Sequence, residues 1–312
     1  MITGLSHIGL TAGELEQSVR FYRDAFGFEL LSDAERKGEG AERITGIPGI
    51  HTRNVYLSVT PSQHLEIFGF YNPKTIPPQK ETNFRAGIFY TAFMGDLLQS
   101  IKNSIPAEKE PKWLTFLRAI EESPYRGSRL TTLQDRDGLA LRVVECEGQG
   151  LAEQRPMRLR ILYPALIVRD LGCSLEFFSE ILGLEIELRG KDQLPVRQVL
   201  GEEKTGAAMN WALLKSAGGV CLKLIEILNL EVQPALPWMM QRVGFTHLAF
   251  AVKDLETFYE KLLNKGVRFV SPPQIASAGP HKGGKGVYLE TEYETIIELV
   301  DSPLTQASGL KG

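Results

Sequence analysis

Apolar positions along this chain switch between a two-residue and a helical period, and the switch recurs four times. In the first copy a strand-like run around His7-Ile8-Gly9-Leu10 leads into LEQSVRFYRDAFGFELL, where Leu15, Val19, Tyr22 and Phe26 share one helical face and Gly27 closes the helix before the next strand. The third copy, YPALIVRDLGCSLEFFSEILGLEIEL, keeps the acid-Leu helix start (Asp170-Leu171), the aromatic pair Phe177-Phe178 and the glycine exit. The fourth, THLAFAVKDLETFYEKLLNKGVRFV, has Asp254-Leu255, Phe258-Tyr259 and Gly266. The second, FYTAFMGDLLQSIKNSI, is worn: Asp96-Leu97 survives, and an insertion is expected around Lys109 to Arg126.

The segments after these helices repeat as well. RITGIPGIHTRNVYLSVTPSQHLEIFGF and RQVLGEEKTGAAMNWALLKSAGGVCLKLIEIL both read as strand, turn and alternating strand, while LTTLQDRDGLALRVVE and GVYLETEYETIIELVD each give a short strand, a turn and a last strand. Each unit is therefore βαβββ. The chain is expected to be α+β, with four such modules arranged as two paired domains, 1–150 and 151–312, built on half-barrel mixed sheets. The joint falls in the polar, Gly- and Pro-containing stretch Glu147 to Pro156.

Seven residues before each acid-Leu pair stand His7, Phe89, Tyr163 and His247; the middle of each last strand holds Glu66, Arg142, Lys223 and Glu298. Only the first and fourth units keep histidine and glutamate. A glutamate inside an apolar run such as TIIELV is costly to bury alone, so Glu66 and Glu298 each need a partner. If units one and four face each other, His7, Glu66, His247 and Glu298 converge on one divalent cation, with Zn, Ni, Co, Fe and Mn all compatible with two imidazoles and two carboxylates. Units two and three would then form a degenerate pocket of Phe89, Arg142, Tyr163 and Lys223. His64, His281 and His51 are weaker ligand candidates: His64 lies on the same strand face as Glu66, His281 in the loop AGPHKGGKG and His51 in a turn. That loop reads as a solvated segment, although Lys282 or Lys285 could meet an anionic group. Arg43, Arg53 and Tyr288 stand at positions where a pocket could use them.

Composition narrows the partners. The 312 residues are 43% apolar, enough for two cores, and the net charge of −3 supplies no basic surface for nucleic acid. No apolar run reaches the roughly 20 residues of a membrane span, and MITGLSHIGL lacks the features of a signal peptide, so a cytoplasmic protein acting on a small molecule is expected. Cys146, Cys173 and Cys221 follow no CxxC spacing and read as buried thiols. Four units in one chain make a monomer sufficient, and a homodimer stays open.

The HIGL and HLAF strand starts, the LEQSVRFYRDAFGFE helix, the DRDG turn at Asp135 to Gly138 and the closing IIEL strand resemble the vicinal oxygen chelate superfamily of glyoxalases, epimerases, extradiol dioxygenases and fosfomycin and bleomycin resistance proteins. The resemblance covers nearly the whole chain and implies half-barrels around a divalent metal. The His-Glu-His-Glu set is most similar to glyoxalase I, which implies a proton-transfer isomerase or lyase on a bidentate oxygen substrate, with Glu66 or Glu298 as both ligand and base. Gly9, Leu10 and Thr11 stand where that family carries an arginine, and Thr291-Glu292-Tyr293-Glu294 replaces its DPDG turn, which puts glutathione as a cofactor in doubt. The hydroquinone-cleaving extradiol dioxygenases match His7, His247 and Glu298 but have no counterpart of Glu66. A non-catalytic binder of the bleomycin-resistance kind is the third reading.

Overall fold

The computed structural model describes residues 1–78, 84–95, 112–119, 127–146, 159–194, 207–277, 279–291 and 295–302, with backbone alone for 112–113, 115–119, 146 and 193–194. Unit one runs β1 (Ile2–Thr11), α1 (Leu15–Phe26), β2 (Glu29–Lys37), α2 (Glu39–Thr45), β3 (His51–Thr60) and β4 (Gln63–Asn72). After a short β5 (Phe84–Arg85), unit two contributes β6 (Gly87–Met94), β7 (Lys112–Ala119), β8 (Ser128–Gln134) and β9 (Ala140–Cys146). Unit three holds β10 (Arg160–Val168), α3 (Leu171–Leu175, continued in π-helical form over Glu176–Ile181), β11 (Glu185–Leu194), β12 (Ala207–Ser216) and β13 (Gly219–Ile227). A two-residue β14 (Val232–Gln233) precedes unit four, which is β15 (Gly244–Val252), α4 (Leu255–Asn264), β16 (Gln274–Ile275), β17 (Lys285–Glu290) and β18 (Ile296–Asp301).

The strands form two eight-stranded curled sheets, and each draws on both halves of the chain. The first has the order β16-β17-β18-β15-β1-β4-β3-β2 and the second β11-β12-β13-β10-β6-β9-β8-β7, so units one and four share one sheet and units two and three the other. Each sheet has an antiparallel seam between the units' first strands, β1 with β15 and β10 with β6, flanked by parallel pairs to the units' last strands.

Two of the acid-Leu pairs act as helix caps. Asp170 and Asp254 cap α3 and α4 by accepting from the backbone N–H of Cys173 and Thr257, at 2.8 and 3.2 Å. The following Leu255 is fully buried and roots α4 in the core. Gly27 ends α1 at φ 67°, a conformation that favours glycine. The helices cover the convex sides of the sheets, and one continuous core takes Tyr22, Phe26, Phe93, Leu141, Phe178, Phe250 and Leu262 from all four units.

The DRDG turn is a second tie between the units. Asp135 accepts from Tyr22 Oη at 2.7 Å and from the N–H groups of Asp137 and Leu139, while Asp137 accepts from Ser18 Oγ at 2.8 Å and Gly13 N at 3.0 Å. The turn closing unit two is thereby bonded to the helix opening unit one.

Four expectations need correction. Glu39–Thr45 is a short helix, since its glutamates sit in the first turn and Gly46 caps it at φ 68°; Arg43 to Thr45 do not start a strand. The expected insertion of Lys109 to Arg126 contains the edge strand β7, paired with β8. His51 opens β3 and is not in a turn; its ring pairs with Glu35 on the adjacent strand at 3.1 Å. Cys173 is exposed on the solvent side of α3, whereas Cys221 is buried. The joint at Glu147 to Pro156 and the helix starting at Asp96 lie outside the described residues. Among the described residues no helix is long and apolar enough to cross a membrane.

Asp135→Ala leaves the buried Tyr22 hydroxyl and two turn N–H groups without an acceptor and should lower stability by about 2–4 kcal/mol. Urea unfolding of the variant beside the parent checks this, and a change below 1 kcal/mol, roughly the worth of one ordinary hydrogen bond, would count against the turn as a tie between units.

Candidate metal centre

The first sheet's seam sets the site. His7 lies opposite Ala249 and His247 opposite Gly9, so the two imidazoles meet diagonally across β1 and β15. Each strand carries one extra residue beside its histidine, Ser6 on β1 and Thr246 on β15. Such bulges re-aim the next side chain. Ser6 Oγ lies 3.3 Å from His7 Nδ1 and Thr246 Oγ1 3.0 Å from His247 Nδ1, which leaves both Nε2 atoms facing inward, 3.1 Å apart. The flanking strands deliver the carboxylates: Glu66 on β4 is in register with Gly9, and Glu298 on β18 with Ala249.

Gly9 makes room for this meeting. A Cβ there would stand 2.1 Å from His247 Cε1. Glu66 is held from behind: Asn54 Nδ2 donates to its Oε1 at 2.8 Å, and Thr52 Oγ1 donates to Asn54 Oδ1 at 2.6 Å. The Oε2 of Glu298 instead faces the two imidazoles, 2.9 Å from His7 Nε2 and 3.2 Å from His247 Nε2.

The four ligand atoms all lie within 4.8 Å of one another. His7 Nε2 is 2.9 Å from Glu298 Oε2 and 3.4 Å from Glu66 Oε2; the corresponding His247 distances are 3.2 and 3.7 Å. Ligands about 2.1 Å from one ion stand roughly 3 Å apart in cis positions and 4.2 Å in trans, so these separations suit a shared divalent cation. All four residues are buried, both histidines completely. Two carboxylates buried side by side call for a positive charge, and this group could hold a metal.

The electrostatics of the four-residue cluster agree. Burial disfavours charge on His7, yet hydrogen bonding to Glu298 and Glu66 overrides it and raises the pKa to about 9. Burial alone would raise the two carboxyls, but hydrogen bonds from the histidines hold Glu298 and Glu66 below the usual carboxylate range. Tyr56 and Tyr288 are pushed up by burial and by the two glutamates, so both stay neutral phenols.

Beside the cluster a cavity of ≈ 190 Å³ is lined by Glu66, Glu298, Tyr56, Tyr288, Asn54 and His281 among others. His281 therefore belongs to the site, and its side chain is not in a solvated loop tip. It is 6% exposed, stacks on His7 at a ring separation of 5.4 Å, bonds Ser302 Oγ through Nδ1 at 2.9 Å, and has a buried Nε2 without a partner. Burial, together with the His7 charge, lowers its pKa to about 4. His64 packs edge-on against it at 6.1 Å. Neither His64, His281 nor His51 is among the four residues whose ligand atoms converge.

Of the three residues singled out for a pocket, Tyr288 is there, 5.3 Å from the His247 ring. Arg43 is paired with Glu39 on the surface of α2, and Arg53 is forked onto Asp33 and bonded to Glu16, because strand alternation turns it away from the cavity that Asn54 and Tyr56 face. Lys282 is exposed; Lys285 lines the cavity and pairs with Glu256 at 2.5 Å.

The degenerate site also needs one correction. In the second sheet Tyr163 faces Ala92 and Tyr90 faces Ala165, with Leu162 and Phe89 as the extra residues. The counterpart of His247 is thus Tyr90, six residues before Asp96, and Phe89 matches the bulged Thr246. Arg142 and Lys223 take the places of Glu298 and Glu66, in register with Ala92 and Ala165.

Two outcomes follow. Gly9→Ala should displace the His247 ring and weaken metal binding about 10–100-fold with the fold kept, and His247→Ala should bring bound metal to background; metal analysis with circular dichroism checks both. Below pH 9 His7 carries a proton that a cation must displace. Metal uptake at pH 7 should therefore release about one proton, and affinity should rise with pH until His7 loses its proton near pH 9. Calorimetry in buffers of different ionisation enthalpy measures that proton, and its absence would contradict the charged His7.

Comparisons with known proteins agree with this geometry. Sequence profiles described as glyoxalase/bleomycin resistance protein/dioxygenase superfamily match residues 4–143 and 164–288. A 2-epi-5-epi-valiolone epimerase from Actinomyces sp is 28% identical over 156 residues, 47% of this chain and 82% of its own length. The uncharacterised YwkD of Bacillus subtilis is 26% identical over 149 residues, 46% of this chain and 98% of its own. Among solved structures, glyoxalase I from Zea mays superposes with a TM-score of 0.62 at 17% identity, covering 98% of this chain and 94% of that one. A Bacillus subtilis structure provisionally described as a dioxygenase gives 0.62 at 15% identity, covering 99% and 91%. These two likenesses show the shared fold. The chain belongs to the glyoxalase/bleomycin resistance protein/dioxygenase superfamily.

Proposed function

We propose that this chain is a divalent-metal-dependent isomerase or epimerase that moves a proton on a small substrate chelated through two adjacent oxygens. The observation that carries the reading is the second carboxylate: Glu66 and Glu298 both converge with His7 and His247, which gives one carboxylate to hold and one to take the proton. The similarity to an epimerase supports the same class.

His7, Glu66, His247 and Glu298 would hold the cation, which supplies Lewis acidity that lowers the cost of negative charge developing on the substrate oxygens. Glu66 is anchored by Asn54 and Thr52 and suits the holding role. Glu298 lines the cavity with its Oε2 against the two imidazoles and takes the proton from the carbon beside the carbonyl. Its basicity rises when it loses the histidine contacts that keep its pKa low. His281 presents Nε2 to a substrate oxygen, fixed by its bond to Ser302. Tyr56, Tyr288 and Phe68 close the cavity walls and limit water.

Proton NMR in D₂O on a panel of α-hydroxy ketones and hydroxy acids, with Zn-, Ni-, Co- and Mn-loaded protein under anaerobic conditions, should show exchange of the hydrogen beside the carbonyl. Glu298→Gln should slow it at least about 100-fold, and Glu66→Gln should impair it as well. Oxygen uptake with a substituted hydroquinone, retained in Glu66→Gln, would replace this reading with ring cleavage through His7, His247 and Glu298.

A further inference from the structure

The second sheet repeats the metal-site geometry with its charges reversed. Where the first sheet sets two carboxylates against two imidazoles, the matching positions hold Arg142 and Lys223 against Tyr90 and Tyr163. The supporting positions have changed in step. The hydroxyls of Ser6 and Thr246 become Leu162 and Phe89, and Gly9, which admits the imidazole, becomes the fully buried Ala165.

The result is an aromatic cradle with cations in it. Tyr90, Tyr163 and Trp211 are buried, together with Met209 and Ile225, in a cluster distinct from the main core. Arg142 lies with its guanidinium carbon 3.9 Å from the Tyr90 ring centre and donates to Tyr90 Oη at 2.9 Å, while its Nε is buried with no partner. Lys223 Nζ stands 4.5 Å from the Trp211 ring. Trp211 is 6% exposed, and its indole N–H is buried without an acceptor.

A ring face offsets only part of the cost of desolvating a guanidinium. Among the described residues the hydrogen-bond partner of Arg142 is the Tyr90 hydroxyl, and no carboxylate is bonded to it. As the paired glutamates of the first sheet need a cation, this guanidinium needs an anion, and a guanidinium recognises carboxylate and phosphate through paired N–H groups.

We propose that the concave face of the second sheet binds a small oxyanion, a carboxylate or phosphate, on a flat apolar body that packs among Tyr90, Tyr163 and Trp211. Arg142 is the anchoring residue and Lys223 adds charge. The inference stands apart from the reaction assigned to the metal centre.

Calorimetric titration of the purified full chain with benzoate and with phenyl phosphate tests it. One probe molecule should bind per chain, and Arg142→Gln should weaken binding by about tenfold or more. His247→Ala, which removes a ligand of the first sheet, should keep it. Binding of benzoate alone or phenyl phosphate alone identifies the oxyanion class. Lys223→Gln is the second variant should Arg142→Gln fail to fold, with the same weakening expected. Neither probe binding, Arg142→Gln (or, in its place, Lys223→Gln) binding as tightly as the parent, or binding lost in His247→Ala would each overturn the proposal.

Discussion

Two carboxylates buried side by side cannot both keep their charge without a cation between them, and this constraint organises the first sheet. Glu66 and Glu298 sit on the strands flanking the seam, so the seam must supply the nitrogen ligands. The bulges at Ser6 and Thr246 turn both imidazoles inward, their hydroxyls meet the Nδ1 atoms, and Gly9 yields the space one ring needs. Each feature is weak alone. Together they hold four ligand atoms within a few ångströms in a place water reaches poorly.

The same βαβββ unit, used four times, produced two seams and two outcomes. One seam concentrates negative charge and imidazole; the other puts two cations among aromatic rings. The sheets are held to each other through the shared helix-side core and through the turn of unit two bonded to α1. The substitutions separating the seams fall on the concave faces, so the ligand positions could diverge while the convex packing stayed alike.

Much of the site was legible because a charged residue in a strictly apolar strand has few bland explanations. His7, Glu66, His247 and Glu298 stood out for that reason, and Asp170-Leu171 and Asp254-Leu255 mark helix starts because an N-cap needs a short acceptor. Alternation along β3 carries further information: the period that sends Arg53 to solvent sends Thr52, Asn54 and Tyr56 to the cavity. Phe89 is displaced by one position because counting back from an acid-Leu pair assumes constant spacing, whereas the strand register puts Tyr90 opposite Ala165 and leaves Phe89 as the extra residue. His281 was misjudged because the burial of a loop depends on what packs over it, here His7 and Ser302, and glycine-rich composition does not encode that.

The four residues that could hold a cation come from the first and last units of the chain, His7 and His247 being 240 residues apart. A cation bound by both would act as a crosslink closing nearly the whole chain into a loop, and the entropy removed from the unfolded ensemble grows with loop length. Occupancy would then govern durability as well as chemistry: the metal would fasten the two ends of the protein together, and stripping it would leave the seam to backbone pairing and the shared core.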